Sequence, residues 1–252
     1  MDIESLKIWF KEFKLFSNDL TNRKLIHDLE KFRNIISGFI NVRNEVEIKE
    51  RKITSDYNVF YLMKYVLDKE EITHSPFIAD ILNINGKHRQ ESLFYDEFIK
   101  QLDINNLYSK FEVKEKMFFS VNTEKWTGEG SIDIFIEYHS PIKHFAIAIE
   151  NKIFAKDQPK QLERYAAYLE KEFGTNFLLL YLTPRKRFPE MPYSISKNKY
   201  DELEKKGLIK LITYEKHISL LFENTIPKIE SHKVTSIAKQ YLQTIKNNFR
   251  NG

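Results

Sequence analysis

Ser131-Ile132-Asp133-Ile134-Phe135-Ile136, followed by His144-Phe145-Ala146-Ile147-Ala148-Ile149-Glu150-Asn151-Lys152, is the stretch that decides the fold. In the first segment Ile132, Ile134 and Ile136 alternate with Asp133, Phe135 and Glu137, the period-two pattern of a strand. Phe145–Ile149 is apolar on both faces, which marks a central strand. His139–Lys143 reads as the hairpin connection between them. Asp133 then sits in one strand and the Glu150-Asn151-Lys152 triplet closes its neighbour, so the two acids converge at one end of a sheet. Because strand side chains alternate, Glu150 and Lys152 share a side and Asn151 faces away.

Downstream, Gln158–Phe173 has helical periodicity, with Leu162, Tyr165, Ala166 and Leu169 at core spacing, Asp157 as the expected cap and Gly174 as the stop. Phe177–Leu182 is a further buried strand and Leu208–Ile212 a last one, with helices near Tyr214–Phe222 and Lys233–Asn248. Upstream, Thr127–Gly130 is a turn, and Phe111–Lys114 with Met117–Phe119 predicts the strand before it. Residues from about Ile3 to Ile40 are helical by period, Asn41–Asp56 is a charged connector, and Asn58–Leu67 resumes a helical pattern. Ser75 and Pro76 look like the cap and first turn of a helix reaching Leu82. Asn83–Lys87 is a turn, and Gln90–Leu102 a further helix. The expected fold class is α/β, a mixed β-sheet flanked by helices. The domain division is an N-terminal helical extension and connector over 1–56 and an α/β domain over 57–252.

The 252 residues suffice for one substantial core; 42% apolar and 30% charged residues describe a globular chain. There is no cysteine, which excludes disulfides and cysteine-ligated zinc or iron–sulfur centres. The N-terminus lacks the basic and apolar runs of a signal peptide, and no apolar segment approaches the roughly 20 residues that span a bilayer. A cytoplasmic location, with no membrane partner, is expected. A net charge of +4 permits a nucleic-acid partner, and Pro184-Arg185-Lys186-Arg187 is a loop able to touch phosphates.

Two acids and a lysine at strand ends, backed by a polar helix face, are the parts of a metal-dependent phosphodiesterase site. Hydrolysing a phosphodiester needs a cation against the non-bridging oxygens and a more acidic water. Asp133 and Glu150 supply carboxylates suited to Mg²⁺ (or Mn²⁺), Asn151 offers its carbonyl oxygen, and Lys152 stands beside the reacting phosphate.

The order Asp133…Glu150-Asn151-Lys152, then Gln158…Gln161…Tyr165, resembles the PD-(D/E)XK nuclease superfamily, the restriction-endonuclease-like fold. Upstream, Glu71-Ile72-Thr73-His74-Ser75-Pro76 and the run to Leu82 resemble the Glu-containing first helix of an uncharacterised bacterial branch, with His88 as a later histidine. Ile132 stands where the superfamily's name has proline. The resemblance covers about Glu71 to Leu182 and implies further roles. Glu71 would be the first-helix carboxylate, with Glu91 and Glu97 as rivals. Gln161 would face the active site, with Tyr165 four residues on beside it. His74 and Gln158 are secondary candidates; His74 and His88 have no spacing that argues for zinc.

The implied function is a metal-dependent nuclease, DNA favoured over RNA, with anti-phage defence as what such families commonly do. The alternative is a catalytically silent nuclease-fold scaffold or nucleic-acid-binding module acting through a partner. Residues 1–56 would be a homodimer interface, a surface for an activating partner, or helices packed on the domain.

Overall fold

A computed structural model describes the backbone of residues 3–53, 70–102, 107–153 and 155–249; of the side chains within these, 3–6, 20–22, 53, 70–73, 107–108 and 247–249 are not described. The helix expected over Asn58–Leu67 lies outside the described residues. By its internal contacts the chain divides into Met1–Glu50 and Arg51–Gly252.

Helix α1 runs unbroken over Ile3–Ile53. The charged stretch from Asn41 to Ile53 is therefore helical, although it shows no apolar period. It holds no Gly or Pro, its Glu, Lys and Arg are good helix formers, and Arg43 pairs with Glu47 one turn on at 3.1 Å.

Within 51–252 the described α-helices and strands are α2 (Glu70–Leu82), α3 (Leu93–Gln101), α4 (Leu107–Phe111), β1 (Phe119–Trp126), β2 (Ser131–Ser140), β3 (Lys143–Asn151), α5 (Gln161–Phe173), β4 (Phe177–Thr183), α6 (Lys197–Lys205), β5 (Ile209–Thr213), α7 (Ser219–Thr225), entered through a π-helical turn over Tyr214–Ile218, and α8 (His232–Phe249). The sheet order is β1-β2-β3-β4-β5. The first three strands are antiparallel and β3, β4 and β5 parallel, so the sheet is mixed and flanked by helices.

Strand periodicity sorts side chains into two cores. Phe145, Ile147 and Ile149 of β3 join Ile134, Ile136, Leu178 and Leu180 under α2, α3, α7 and α8. Ala146 and Ala148 point the other way, with Phe135, Leu179 and Tyr181, under α5 and α6. The two alanines leave room for the helix that crosses them.

Four local expectations are corrected. Helix α2 starts at Glu70 and carries Pro76 inside it, so Ser75 is no cap; its hydroxyl instead accepts a 3.0 Å bond from the Asn151 amide. The N–H missing at Pro76 is the one that would reach Ile72. Phe111–Lys114 is not a strand: Phe111 ends α4, and Met117 and Phe118 lie in a 3-10 turn before β1. Strand β1 is the sheet's edge strand and fully buries only Phe119 of its eight residues, so its alternation is muted. Asp157 does not cap α5; its carboxylate accepts from the Tyr181 hydroxyl at 2.9 Å and the Glu190 N–H at 2.7 Å, tying the β3–α5 loop to β4. Residues 188–207, where the sequence pattern predicts no element, contain α6. That helix has only Tyr200 and Leu203 for a buried face.

His88 is structural. Its ring bonds the Asn83 carbonyl and accepts from the Gln90 N–H, and burial lowers its pKa to about 4, so it is neutral. A Cβ on Gly86 would stand 2.7 Å from that ring, which is why this turn needs glycine.

Candidate active site

Strands β2 and β3 pair in register up to Ile134↔Ile149. One residue further the ladder opens: the Asn151 N–H donates to the Asp133 carboxylate at 2.6 Å in place of a backbone carbonyl. Asp133 and Glu150 thereby face a cleft of about 600 Å³, which Lys152, Gln158, Gln161 and Tyr165 also line.

Glu150 is 1% exposed and Lys152 5% exposed, so both charged groups are desolvated. One carboxylate oxygen, Oε1, accepts from the Lys152 ammonium at 2.7 Å and from the Gln161 amide at 2.8 Å. The other, Oε2, is buried without a partner. Burial, and next the Asp133 charge, push the Glu150 pKa up to about 8, against the pull of Lys152. Lys152 is fixed from behind as well, since its N–H continues the β3–β4 ladder to the Leu182 carbonyl at 2.7 Å.

Gln161 opens α5, so the positive end of that helix points at the acids. Its amide oxygen accepts from the Gln158 N–H at 3.2 Å, which fixes which end of the amide meets Glu150. Tyr165, one turn on, lies 3.3 Å from the Gln161 amide nitrogen and donates to the Ser131 carbonyl. A Cβ on Gly130 would come within 3.3 Å of the Tyr165 ring, so glycine permits this close approach at the entrance to β2.

Asn151 points to the opposite face, as strand alternation requires. Its side chain donates to Ser75 and accepts from the Tyr214 hydroxyl at 3.1 Å, clamping the strand end to α2. His74 belongs to that far side: its Nδ1 lies 2.7 Å from the Tyr241 hydroxyl, and burial lowers its pKa to about 4. It does not line the cleft.

Glu71 is in the first turn of α2, and its side chain lies outside the described residues. Glu97 is held by Gln101 and Asn224, each at 2.8 Å, and Glu91 by Arg51 and Lys116. Neither lines the cleft. Arg187 reaches the Tyr181 hydroxyl at 3.3 Å and the carbonyl of Ala155, a cleft residue, which brings the basic loop to the rim.

The structure adds wall residues that sequence reasoning missed: Thr123, Glu124, Trp126 and Glu129, from β1 and its turn. A hairpin register counted from Thr127–Gly130 places Glu124 opposite Asp133, the signal that would have found it. Glu124 has φ +53°, a left-handed backbone that a non-glycine residue adopts at a cost. Glu124→Gly should therefore stabilise the protein by about 1 kcal/mol, a melting-temperature rise of roughly 2–4 °C. An unchanged or lower melting temperature would show that the strain here does not exceed the entropy that glycine adds to the unfolded chain.

The donor set fits a hard divalent cation. Two carboxylates face one cleft, one of their oxygens is buried and unpartnered, and the nearby ammonium occupies only the other oxygen of Glu150. The cluster Glu137, His139 and His144 lies elsewhere on the sheet and belongs to a different donor class.

A family model described as the PD-(D/E)XK nuclease superfamily matches residues 57–249, more than half of the chain. No curated protein and no solved structure gives a significant match.

Proposed function

Because the chain belongs to the PD-(D/E)XK nuclease superfamily, we propose that its cleft hydrolyses phosphodiester bonds of nucleic acid, DNA in preference to RNA, with Mg²⁺ or Mn²⁺. The observation that carries this reading is the buried, unpartnered Oε2 of Glu150, sharing its cleft with Asp133 and the Lys152 ammonium. Asp133 and Glu150 would hold the cation, with the main-chain oxygen of Asn151 as a third donor. When bound, that cation supplies positive charge for the phosphoryl oxygens and acidifies water.

The remaining chemistry belongs to the chain. Lys152 keeps a fixed, desolvated positive charge beside Glu150, where it meets charge developing on the phosphate and orients the attacking water. Gln161 fixes the Glu150 carboxylate, and Tyr165 steadies Gln161. Arg185, Lys186 and Arg187 would neutralise backbone phosphates at the rim. Glu71 is our candidate for the first-helix carboxylate, and Gln158 for a substrate contact.

The assay is cleavage of supercoiled plasmid, single-stranded DNA and RNA. Faster cutting of DNA supports the assignment; cutting of RNA alone overturns the substrate. No cutting of any would favour the silent-scaffold alternative.

The N-terminal helix offers a partner surface. Leu25, Leu29, Phe32, Ile36 and Phe39 are exposed and recur at alternating four- and three-residue steps, a coiled-coil seam. We propose that a second copy pairs with it, giving a homodimer with one cleft for each strand of a duplex; an activating partner is the rival occupant. Sedimentation of the full chain should give a dimer, reduced to monomer by Phe32→Glu with Ile36→Glu. A monomeric wild-type chain would contradict this.

No described helix is long and apolar enough to cross a membrane. A cytoplasmic location and a role against phage remain parts of the proposal. Cell fractionation tests the first. Plaque counts in bacteria expressing the wild type or Asp133→Asn test the second: equal counts with an active enzyme would refute a defence role.

A further inference from the structure

The two-residue loop Pro141-Ile142 joins β2 to β3, and the Ser140 hydroxyl bonds both the N–H and the carbonyl of Lys143 at 3.1 Å. That tight closure fixes register, so His139 and His144 form the next cross-strand pair. Their rings stack with centroids 4.1 Å apart. Glu137, two residues before His139, projects from the same face of β2. One of its oxygens lies 3.0 Å from the His144 Nε2 and 3.9 Å from the His139 Nδ1. One ligand atom from each of the three residues lies within 4.8 Å of the others.

We propose that Glu137, His139 and His144 form a binding site for a zinc-class transition-metal cation, separate from the nuclease cleft, that clamps the closed end of the β2–β3 hairpin. Two imidazoles and one carboxylate are the donors such cations take, whereas Mg²⁺ prefers oxygen alone. Three protein donors leave a fourth position for water. The donors are already gathered: the loop sets the spacing of the histidines, Phe173 at the end of α5 packs 4.5 Å from the His144 ring, and binding needs the two stacked imidazoles only to turn so that both aim a nitrogen at one ion. The carbonyl end of that helix adds a favourable potential for a cation.

The separation from the nuclease acids follows from the strand. Asp133 and Glu137 share one face of β2 four residues apart, roughly 13 Å at the strand rise. Phe135 fills the interval under α5, packing 6.3 Å from Tyr168 and 6.0 Å from Phe173. A cation at the hairpin end therefore shares no ligand with Asp133 or Glu150.

The test is calorimetric titration of the full-length protein with ZnCl₂ in excess Mg²⁺, repeated with Co²⁺ while recording its visible absorption. The wild type and Asp133→Asn should each bind one Zn²⁺ per chain, and Co²⁺ should show the spectrum of a nitrogen-containing, low-coordinate site. His139→Ala and His144→Ala should each weaken binding by at least about tenfold. The His139 side chain is 69% exposed, so its replacement leaves the fold intact and its result is interpretable. Three outcomes overturn the proposal. They are no Zn²⁺ binding by the wild type, unchanged affinity in His139→Ala, or loss of binding in Asp133→Asn, which would place the ion in the nuclease cleft.

Discussion

Lys152→Met should reduce DNA cleavage by about a hundred- to a thousandfold, the cost of removing one preorganised charge from a desolvated site. Methionine keeps most of the buried stem, so packing changes little. The charge does not survive, and with it goes the group 2.7 Å from Glu150 that, in the proposed reaction, would meet negative charge on the phosphate. Its removal also frees Glu150 to protonate more readily, because Lys152 is what opposes the upward push of burial and of Asp133. Folding should survive for that reason: a carboxyl that can take a proton does not leave a buried charge unpaired. Kinetics and circular dichroism on the same preparation check both halves. Wild-type rates in Lys152→Met would remove the lysine from the chemistry.

The second large effect concerns cation binding, apart from turnover. Wild-type protein should gain about 2.7 kcal/mol of stability when Mg²⁺ reaches a hundred times its dissociation constant, read as a higher melting temperature. Asp133→Asn should lose that gain. The substitution keeps an oxygen to accept the 2.6 Å bond from the Asn151 N–H, so the strand end is preserved while the charge is removed. Equal Mg²⁺-dependent stabilisation in wild type and variant would show that Asp133 is not a ligand.

The α/β core could be read from sequence because β2, β3 and β4 carry unambiguous patterns and α5 has a clear apolar stripe. What escaped has physical causes. The N-terminal helix runs past Ile40 because a Glu/Lys/Arg stretch lacks an apolar period yet favours helix. Strand β1 lies later than expected because this edge strand buries only its first residue, Phe119, and so shows almost no apolar alternation. Pro76 reads as a helix start, but α2 passes through it with Ser75 bonded across to Asn151.

For the site, two local rules went far. Strand alternation puts Glu150 and Lys152 together with Asn151 behind them, and the four-residue helix step puts Gln161 and Tyr165 on one face. The structure brings these five residues and Asp133 into the arrangement described. Tertiary placement decided the rest. Glu97 and Glu91 are spent on contacts with α7 and with Arg51 and Lys116, and His74 lies across the sheet from the acids. Nothing in their local sequence shows that they lie away from the cleft.

The most direct test of the central claim is a time course of supercoiled plasmid cleavage by wild type and Glu150→Gln, in Mg²⁺ and again after excess EDTA. Nicking by the wild type that stops with EDTA, resumes on adding back Mg²⁺, and is absent throughout in Glu150→Gln is the predicted result. Cleavage that persists in EDTA, or in Glu150→Gln at the wild-type rate, would contradict a metal-dependent nuclease site built on this carboxylate.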